Sequence, residues 1–339
     1  MAVRGMLATL WLVVAGLSCS SQKLTFYFLD MVGGASTLIV TPSGESILID
    51  TGSLEPRGRD DGRIIQACHD AGLKKIDHLI TTHFHSDHFG ALFMVTKKIK
   101  VGTFYDKGGP PALEEQEGEW FKTLYPKYQQ ATAGRTLTLQ PGETIPLRDN
   151  RIKLLCVAAE KKVLGFSGDV DAAQPGFDPA PADHSDNARS IALLLSYGDF
   201  TCFMGGDITL NVEHHLIIPV NHIGQVDLYQ VTHHGLDLSN NPELLQAIQP
   251  VVAVAMNGPQ KGIQPRTFAA LQSLPSLQAL YQLHENIQSG AAGNTPLAHI
   301  ANRKGEEHGT YVRVTVDETA RQMTVSLGAK ATIGKYPYQ

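Results

Sequence analysis

The stretch Thr81-Thr82-His83-Phe84-His85-Ser86-Asp87-His88-Phe89-Gly90 restricts what this 339-residue chain can become more than any other. Three imidazoles and a carboxylate follow directly on the apolar run Ile76-Asp77-His78-Leu79-Ile80. Ligand-type side chains packed this densely at the end of a strand would fill a core badly, but they suit a metal site. On an extended segment side chains alternate, so His83 and His85 point the same way and can share one ion. If the chain then turns into a helix, Asp87 and His88 project from its first turn towards a second position. Neutral imidazole and carboxylate are the ligand set of zinc or a similar borderline ion. The bland alternative is a chance group of surface histidines. The ordered His-x-His-x-Asp-His spacing, placed where loops carry chemistry, speaks against it.

Further ligand-type residues also close strand-like runs. His184 ends a stretch, residues 165–186, that is rich in Gly, Pro, Asp and Ala and reads as a long functional loop. Asp207 follows an apolar run and Gly205-Gly206, and His233-His234 follow the run 226–231 and precede Gly235. Each alone is weak, since a lone Gly-Gly-Asp is usually a turn. Together, four segments place ligands at the same end of strand-like runs. A second pair, His214-His215, falls on the expected helix 210–218 and reads as surface histidines.

The chain opens with short β runs separated by Gly33-Gly34 and Pro42-Ser43-Gly44, before helical spacing appears over 60–71. Strand and helix then alternate through 76–105 and again through 226–283, which argues for a layered α/β fold. A helix is expected from Asp87 to about residue 95, and another over 113–130, where Trp120, Phe121 and Tyr125 are expected to pack onto the body, with the lining of a substrate cleft as the alternative. A loop over 285–309 and two closing strands, 311–317 and 323–327, complete the reading. Nothing in the composition looks like a linker, so residues 21–339 are expected to form one domain. Asp50, at a strand end, is either a carboxylate supporting the site or a turn residue. Asn187, Ser190 and His284 are candidates for polar contacts nearby.

Composition bears on partners and compartment. Charge is moderate, with a formal net charge of −5, and that balance offers no electrostatic footprint for a nucleic-acid duplex. A small molecule or short phosphoester remains a compatible substrate. Residues 1–20 have the layout of a secretory signal: Arg4, an apolar run over 6–17, then Ser18-Cys19-Ser20. A secreted or periplasmic protein with no membrane-spanning domain is therefore expected, with lipidation at Cys19 the minor alternative. Cys68, Cys156 and Cys202 have no disulfide or zinc-motif spacing, and the last two lie in apolar runs as core fillers. Gly-x-Ser-x-Gly and phosphate-loop patterns are missing, leaving serine hydrolases and P-loop nucleotidases without support.

His83, His85, Asp87 and His88, with Asp207 after Gly206 and His233-His234-Gly235, resemble the signature of metallo-β-lactamase-fold hydrolases. The text Asn187-Ala188-Arg189-Ser190 adds a likeness to the hydrolase domain of competence (DNA-uptake) channel proteins and its secreted relatives, over about residues 24–290. The resemblance implies a four-layer αββα sandwich with a dinuclear site at one edge. It implies that His83, His85 and His184 hold a first ion, that Asp87, His88 and one of His233 or His234 hold a second, and that Asp207 bridges them. Zinc is the first expectation for both ions, with manganese and iron(II) as alternatives. Two such ions, roughly 3.5–4 Å apart, would present hydroxide at neutral pH, with Asp87 orienting it or taking its proton. The expected function is hydrolysis of a phosphodiester. Lactam, lactone or thioester hydrolysis on the same site, or metal binding without catalysis, stay open. No channel segments accompany the motif, so a transport role does not carry over. Competence-type domains often have aspartate where His85 stands.

Overall fold

The computed structural model describes residues 23–110, 115–305 and 308–338. The expected signal segment, residues 1–20 with Cys19, lies outside the described residues. Two nine-stranded sheets form the centre. In the first, Thr332–Pro337, Gln322–Leu327, Val312–Asp317, Leu24–Phe28, Thr37–Val40 and Ser46–Ile49 run antiparallel in that order. Lys75–Ile80, Lys100–Asp106 and Thr136–Thr138 then add in parallel. In the second, Phe200–Met204, Leu228–Gln230, Val252–Ala255, Ala279–His284 and Ile300–Asn302 form the parallel half. Ala192–Tyr197, Ile152–Ala159 and Thr144–Ile145 complete it antiparallel, with Lys162–Val163 paired to Ile152–Ala159.

The period-two pattern of the strands sorts their side chains into three cores. Phe26, Phe28, Ile47 and Ile49 of the first sheet meet Leu154, Cys156, Cys202, Leu228, Val252 and Val254 of the second between the sheets. The alternate residues face outward. Tyr27 and Leu48 pack with Ile64 and Cys68 of helix Arg59–Asp70, Val95 of Leu92–Lys98 and Tyr128 of Glu119–Thr132. On the far side Phe203, Tyr229, Ala253 and Ala255 pack with Val212 of Leu210–His215, Leu244 of Pro242–Ile248 and Leu271 of Pro265–Gln272. Helix, sheet, sheet, helix is the four-layer order expected. No described helix is long and apolar enough to cross a membrane.

Some elements differ from expectation. The helix beginning at the histidine motif is two, Ser86–Phe89 and Leu92–Lys98. They meet at Gly90, where the Gly52–Leu54 backbone comes so close that a Cβ would stand 2.7 Å from the Leu54 nitrogen. Trp120 and Tyr125 pack onto the body around Phe84 and Phe89, as the sequence suggested. The stretch 285–309 carries a short strand, Ile300–Asn302, and a third closing strand, Thr332–Pro337, was not anticipated. His214 and His215, read as surface histidines, are buried, because Phe177 and Phe166 of the 165–186 loop stack on their rings at 3.9 Å.

Candidate metal centre

Five strands deliver the centre from their carboxyl ends, the end at which ligands gather in parallel α/β sheets. Ser46–Ile49 leads into Asp50, Lys75–Ile80 into His83–His88, and Phe200–Met204 into Asp207. Leu228–Gln230 leads into His233-His234, and Val252–Ala255 into Lys261. Backbone hydrogen bonds tie these ends together. The Ile191 nitrogen donates to the Thr82 carbonyl at 3.0 Å between the two sheets, and the His233 nitrogen donates to the Gly206 carbonyl at 2.9 Å within the second.

One carboxylate oxygen is the focus. Asp207 Oδ2 lies 3.2 Å from His88 Nε2, 3.3 Å from His234 Nε2, 3.5 Å from His233 Nε2 and 4.0 Å from His83 Nε2. The opposite edges of these four rings settle their tautomers. His88 Nδ1 donates to Asp50 Oδ2 at 2.8 Å, and His234 Nδ1 donates to the Met256 carbonyl at 3.1 Å. Thr82 Oγ1 gives its proton to Asp50 Oδ2, so it accepts from His83 Nδ1 at 3.1 Å. Ser239 Oγ likewise gives its proton to the Ile208 carbonyl and accepts from His233 Nδ1 at 3.0 Å. With each Nδ1 protonated, each Nε2 turns a lone pair towards Asp207. His83 Nε2 is buried and has no hydrogen-bond partner. Lone pairs crowded around a carboxylate oxygen need a proton or a cation between them, so this donor set fits divalent metal.

The electrostatics agree. Burial, aided by repulsion from His88 and His85, holds His83 well below the usual imidazole range, and burial lowers His233 to about 4. Burial also opposes charge on His88, but Asp207, Asp50 and Asp87 outweigh it and raise that group well above the usual range. Burial would raise Asp207 and Asp87; the imidazoles outweigh it, with Lys261 adding to the effect at Asp87, and both carboxyls fall well below their usual range. In an ion's place, a proton on His88 satisfies the cluster.

Two groups of side chains, His83–His88–Asp207 and Asp87–His88–His234, bring their ligand atoms within 4.8 Å of one another. His233 joins them through Asp207, so both histidines of the second pair face the centre. His85 and His184 belong to neither group. His85 Nε2 bonds Glu115 Oε1 at 2.7 Å, and that carboxylate's other oxygen accepts from the Asp186 nitrogen at 3.1 Å. His184 is exposed. Its loop is drawn to helix Leu210–His215 by Phe177 on His214 and by Asn211, which bonds Asp171 and both backbone groups of Ala180. The loop therefore carries His184 outward, near Asp171, and not onto His83.

Asp50 proves to be a supporting carboxylate, holding Thr82 and His88. Ser190 Oγ accepts from the Asp207 nitrogen at 3.2 Å, whereas His284 is occupied with Asp30 at 2.6 Å. Sequence reading missed Ser239, Lys261, Glu115 and the buried Lys107, which bonds Asp186 Oδ1 at 3.1 Å while Asp186 Oδ2 accepts from the Phe84 nitrogen. No motif spacing connects these residues to the histidines.

A profile described as the Metallo-beta-lactamase superfamily matches residues 29–256. The chain is similar to ComE operon protein 3 of Bacillus subtilis, 23% identical over 271 residues, which cover 73% of this chain and 31% of that protein. A UPF0173 metal-dependent hydrolase of Anaeromyxobacter is 28% identical over 149 residues, 43% of this chain and 47% of that one. The chain spans under half the length of these curated relatives. Among solved structures, a putative metal-dependent hydrolase from Parabacteroides distasonis aligns over 76% of this chain and 92% of its own, at 14% identity and a TM-score of 0.43. CmlA, a diiron β-hydroxylase from Streptomyces venezuelae, aligns over 69% and 45%, at 18% identity and a TM-score of 0.41.

Proposed function

The chain belongs to the metallo-β-lactamase superfamily, and from that premise we propose that it is a hydrolase that holds two divalent ions, zinc first among the candidates, and cleaves a small phosphodiester. The observation that carries the metal is the convergence of four Nε2 atoms on one Asp207 oxygen. His83, His88, His233, His234, Asp87 and Asp207 would hold the ions. When bound, divalent ions lower the pKa of water and withdraw charge from the scissile group.

The chain's own residues supply the rest. Asp50 fixes His88 directly and His83 through Thr82, so two ligands are aimed before any ion arrives. Asp87 is the most exposed carboxylate of the centre, at 24%. Held ionised by His88, His234 and Lys261, it suits orienting an attacking water better than keeping its proton. The formal net charge of −5 supports a small substrate over a long duplex. Export belongs to the same proposal, supported by the apolar run over 6–17.

A carbonyl substrate is the second reading. A cavity of about 680 Å³, mainly apolar along Ala180, Pro181, Leu210 and Leu238 but with Asp237 and Arg266 also on its wall, opens beside Thr209 and Asn187, and it would take an apolar arm with a polar end. The test is turnover of bis(p-nitrophenyl) phosphate by zinc- or manganese-loaded protein beside a β-lactam and a lactone. An Asp87→Ala variant and a chelator serve as controls. Phosphodiester turnover that both controls abolish is the expected result. Turnover of the carbonyl substrates alone would replace the phosphodiester by the second reading.

A further inference from the structure

Residues 257–264 form a loop whose backbone is fixed on every side. Gly258 N donates to the Lys261 carbonyl at 2.8 Å and closes the turn. Asn257 Nδ2 bonds the carbonyls of Gly258 and His284, and Asn286 Nδ2 bonds that of Gly262 at 2.7 Å. Ile263 N donates to the His234 carbonyl at 3.1 Å. Gly262, at φ +87°, lies so close to His234 that a Cβ would stand 2.1 Å from its carbonyl oxygen, and Gly258 lies against Gly33. This rigid loop sends Lys261 to the centre. Its Nζ stands 2.5 Å from Asp87 Oδ2, and its side chain remains 39% exposed. An ammonium has three N–H donors. One serves Asp87, and the partial exposure of the side chain leaves the others within reach of solvent.

We propose that Lys261 is a substrate-binding residue that takes an anionic oxygen of phosphate or carboxylate type on the Asp87 side of the opening. The inference deepens the hydrolase reading and rests on it, because it places the anion beside the proposed ligands. One feature argues for a role beyond pairing with Asp87: the loop is anchored by bonds that do not involve the ammonium, so the fold does not need it. A lysine ammonium is a compact charge suited to phosphate oxygens.

The test is calorimetric binding of inorganic phosphate to the zinc-loaded protein, with zinc content measured on the same samples. Lys261→Ala and Lys261→Met are expected to weaken phosphate about ten- to hundred-fold at unchanged zinc content, as loss of a charge-assisted hydrogen bond would. Lys261→Arg is expected to restore most of it. Unchanged phosphate affinity in Lys261→Ala, no phosphate binding by the wild type, or zinc lost in step with affinity would each overturn the assignment. A kinetic arm sharpens it: KM for bis(p-nitrophenyl) phosphate should rise while KM for neutral p-nitrophenyl acetate stays unchanged, and an equal rise on both would count against the proposal. Should the wild type hydrolyse neither ester, the hydrolase reading falls, and the phosphate measurement still decides the role of Lys261.

Discussion

The chain contains two His-His pairs, His214-His215 and His233-His234, written alike and folded into different chemistry. Both pairs are buried, and His215 Nε2, like His83 Nε2, has no hydrogen-bond partner. The first pair ends helix Leu210–His215, where neighbouring side chains diverge around the axis. Its rings lie flat on Phe177 and Phe166, and His214 Nδ1 bonds Glu243 at 2.9 Å. The second pair follows a parallel strand with φ of 53° and 56°, an uncommon backbone for non-glycine residues that turns both imidazoles onto Asp207. An orphaned imidazole nitrogen therefore does not define a metal ligand. What surrounds it does: aromatic faces in one case, a carboxylate and three more lone pairs in the other. Glu213 joins the two regions, since its carboxylate accepts from the Asn240 and Asn241 nitrogens at 3.0 and 2.7 Å, just beyond the second pair.

The largest expected difference lies between ligand and packing histidines. His234→Ala and His88→Ala should each lower metal content and reduce kcat/KM by about a thousand-fold or more, because metal contributes several kcal/mol to such reactions. His214→Ala and His215→Ala should keep full metal content by atomic emission; a loss there would erase the distinction. Next comes Asp50→Asn, which leaves one imidazole without its carboxylate and should weaken metal affinity about ten- to hundred-fold, read by competition with a chromophoric chelator.

Third, Phe177→Ala should lower the urea-unfolding free energy by about 1–3 kcal/mol, because the 165–186 loop loses its stack on His214, while metal content stays constant. The smallest effect is a pH slope. Burial raises Glu213 to about 7 from an ordinary 4.5. The folded state therefore binds the proton more readily, so the stability contributed is full below the unfolded value and is lost as pH rises through about 7. Glu213→Gln should flatten the fall in stability between pH 5 and 7 by up to about 1.4 kcal/mol per unit, measured by urea midpoints. His233, lowered to about 4, works with the opposite sign, contributing stability above about 6.5 that is lost as pH falls towards 4.

Much of the architecture was legible because strand periodicity is local. Ile47 and Ile49 against Leu48, or Val252 and Val254 against Ala253, announce which face is which before any partner strand is known. Asp207 and His233-His234 were legible for a related reason: each closes an apolar run, and parallel strands that share a direction bring their ends together. His184 also closes a run in the sequence, but its run is the 165–186 loop, and a loop goes where its anchors take it. Asn211 and Phe177 supply those anchors, and neither has a spacing that reveals the contact. Lys261 was invisible for the same reason, being remote from Asp87 in sequence and adjacent to it only across the two sheets.

The sequence by itself determined the layered α/β order, the faces of the strands and the residue types at the strand ends, because these follow from periodicity and from the chemistry of imidazole and carboxylate. Tertiary structure alone decided which nitrogen of each histidine faces the centre, which histidine pair is packing and where Lys261 stands. Those depend on second partners such as Asp50, Ser239, the Met256 carbonyl and Phe177, brought in from segments far along the chain. A hydrogen bond or a ring stack made across such distances leaves no mark on local spacing.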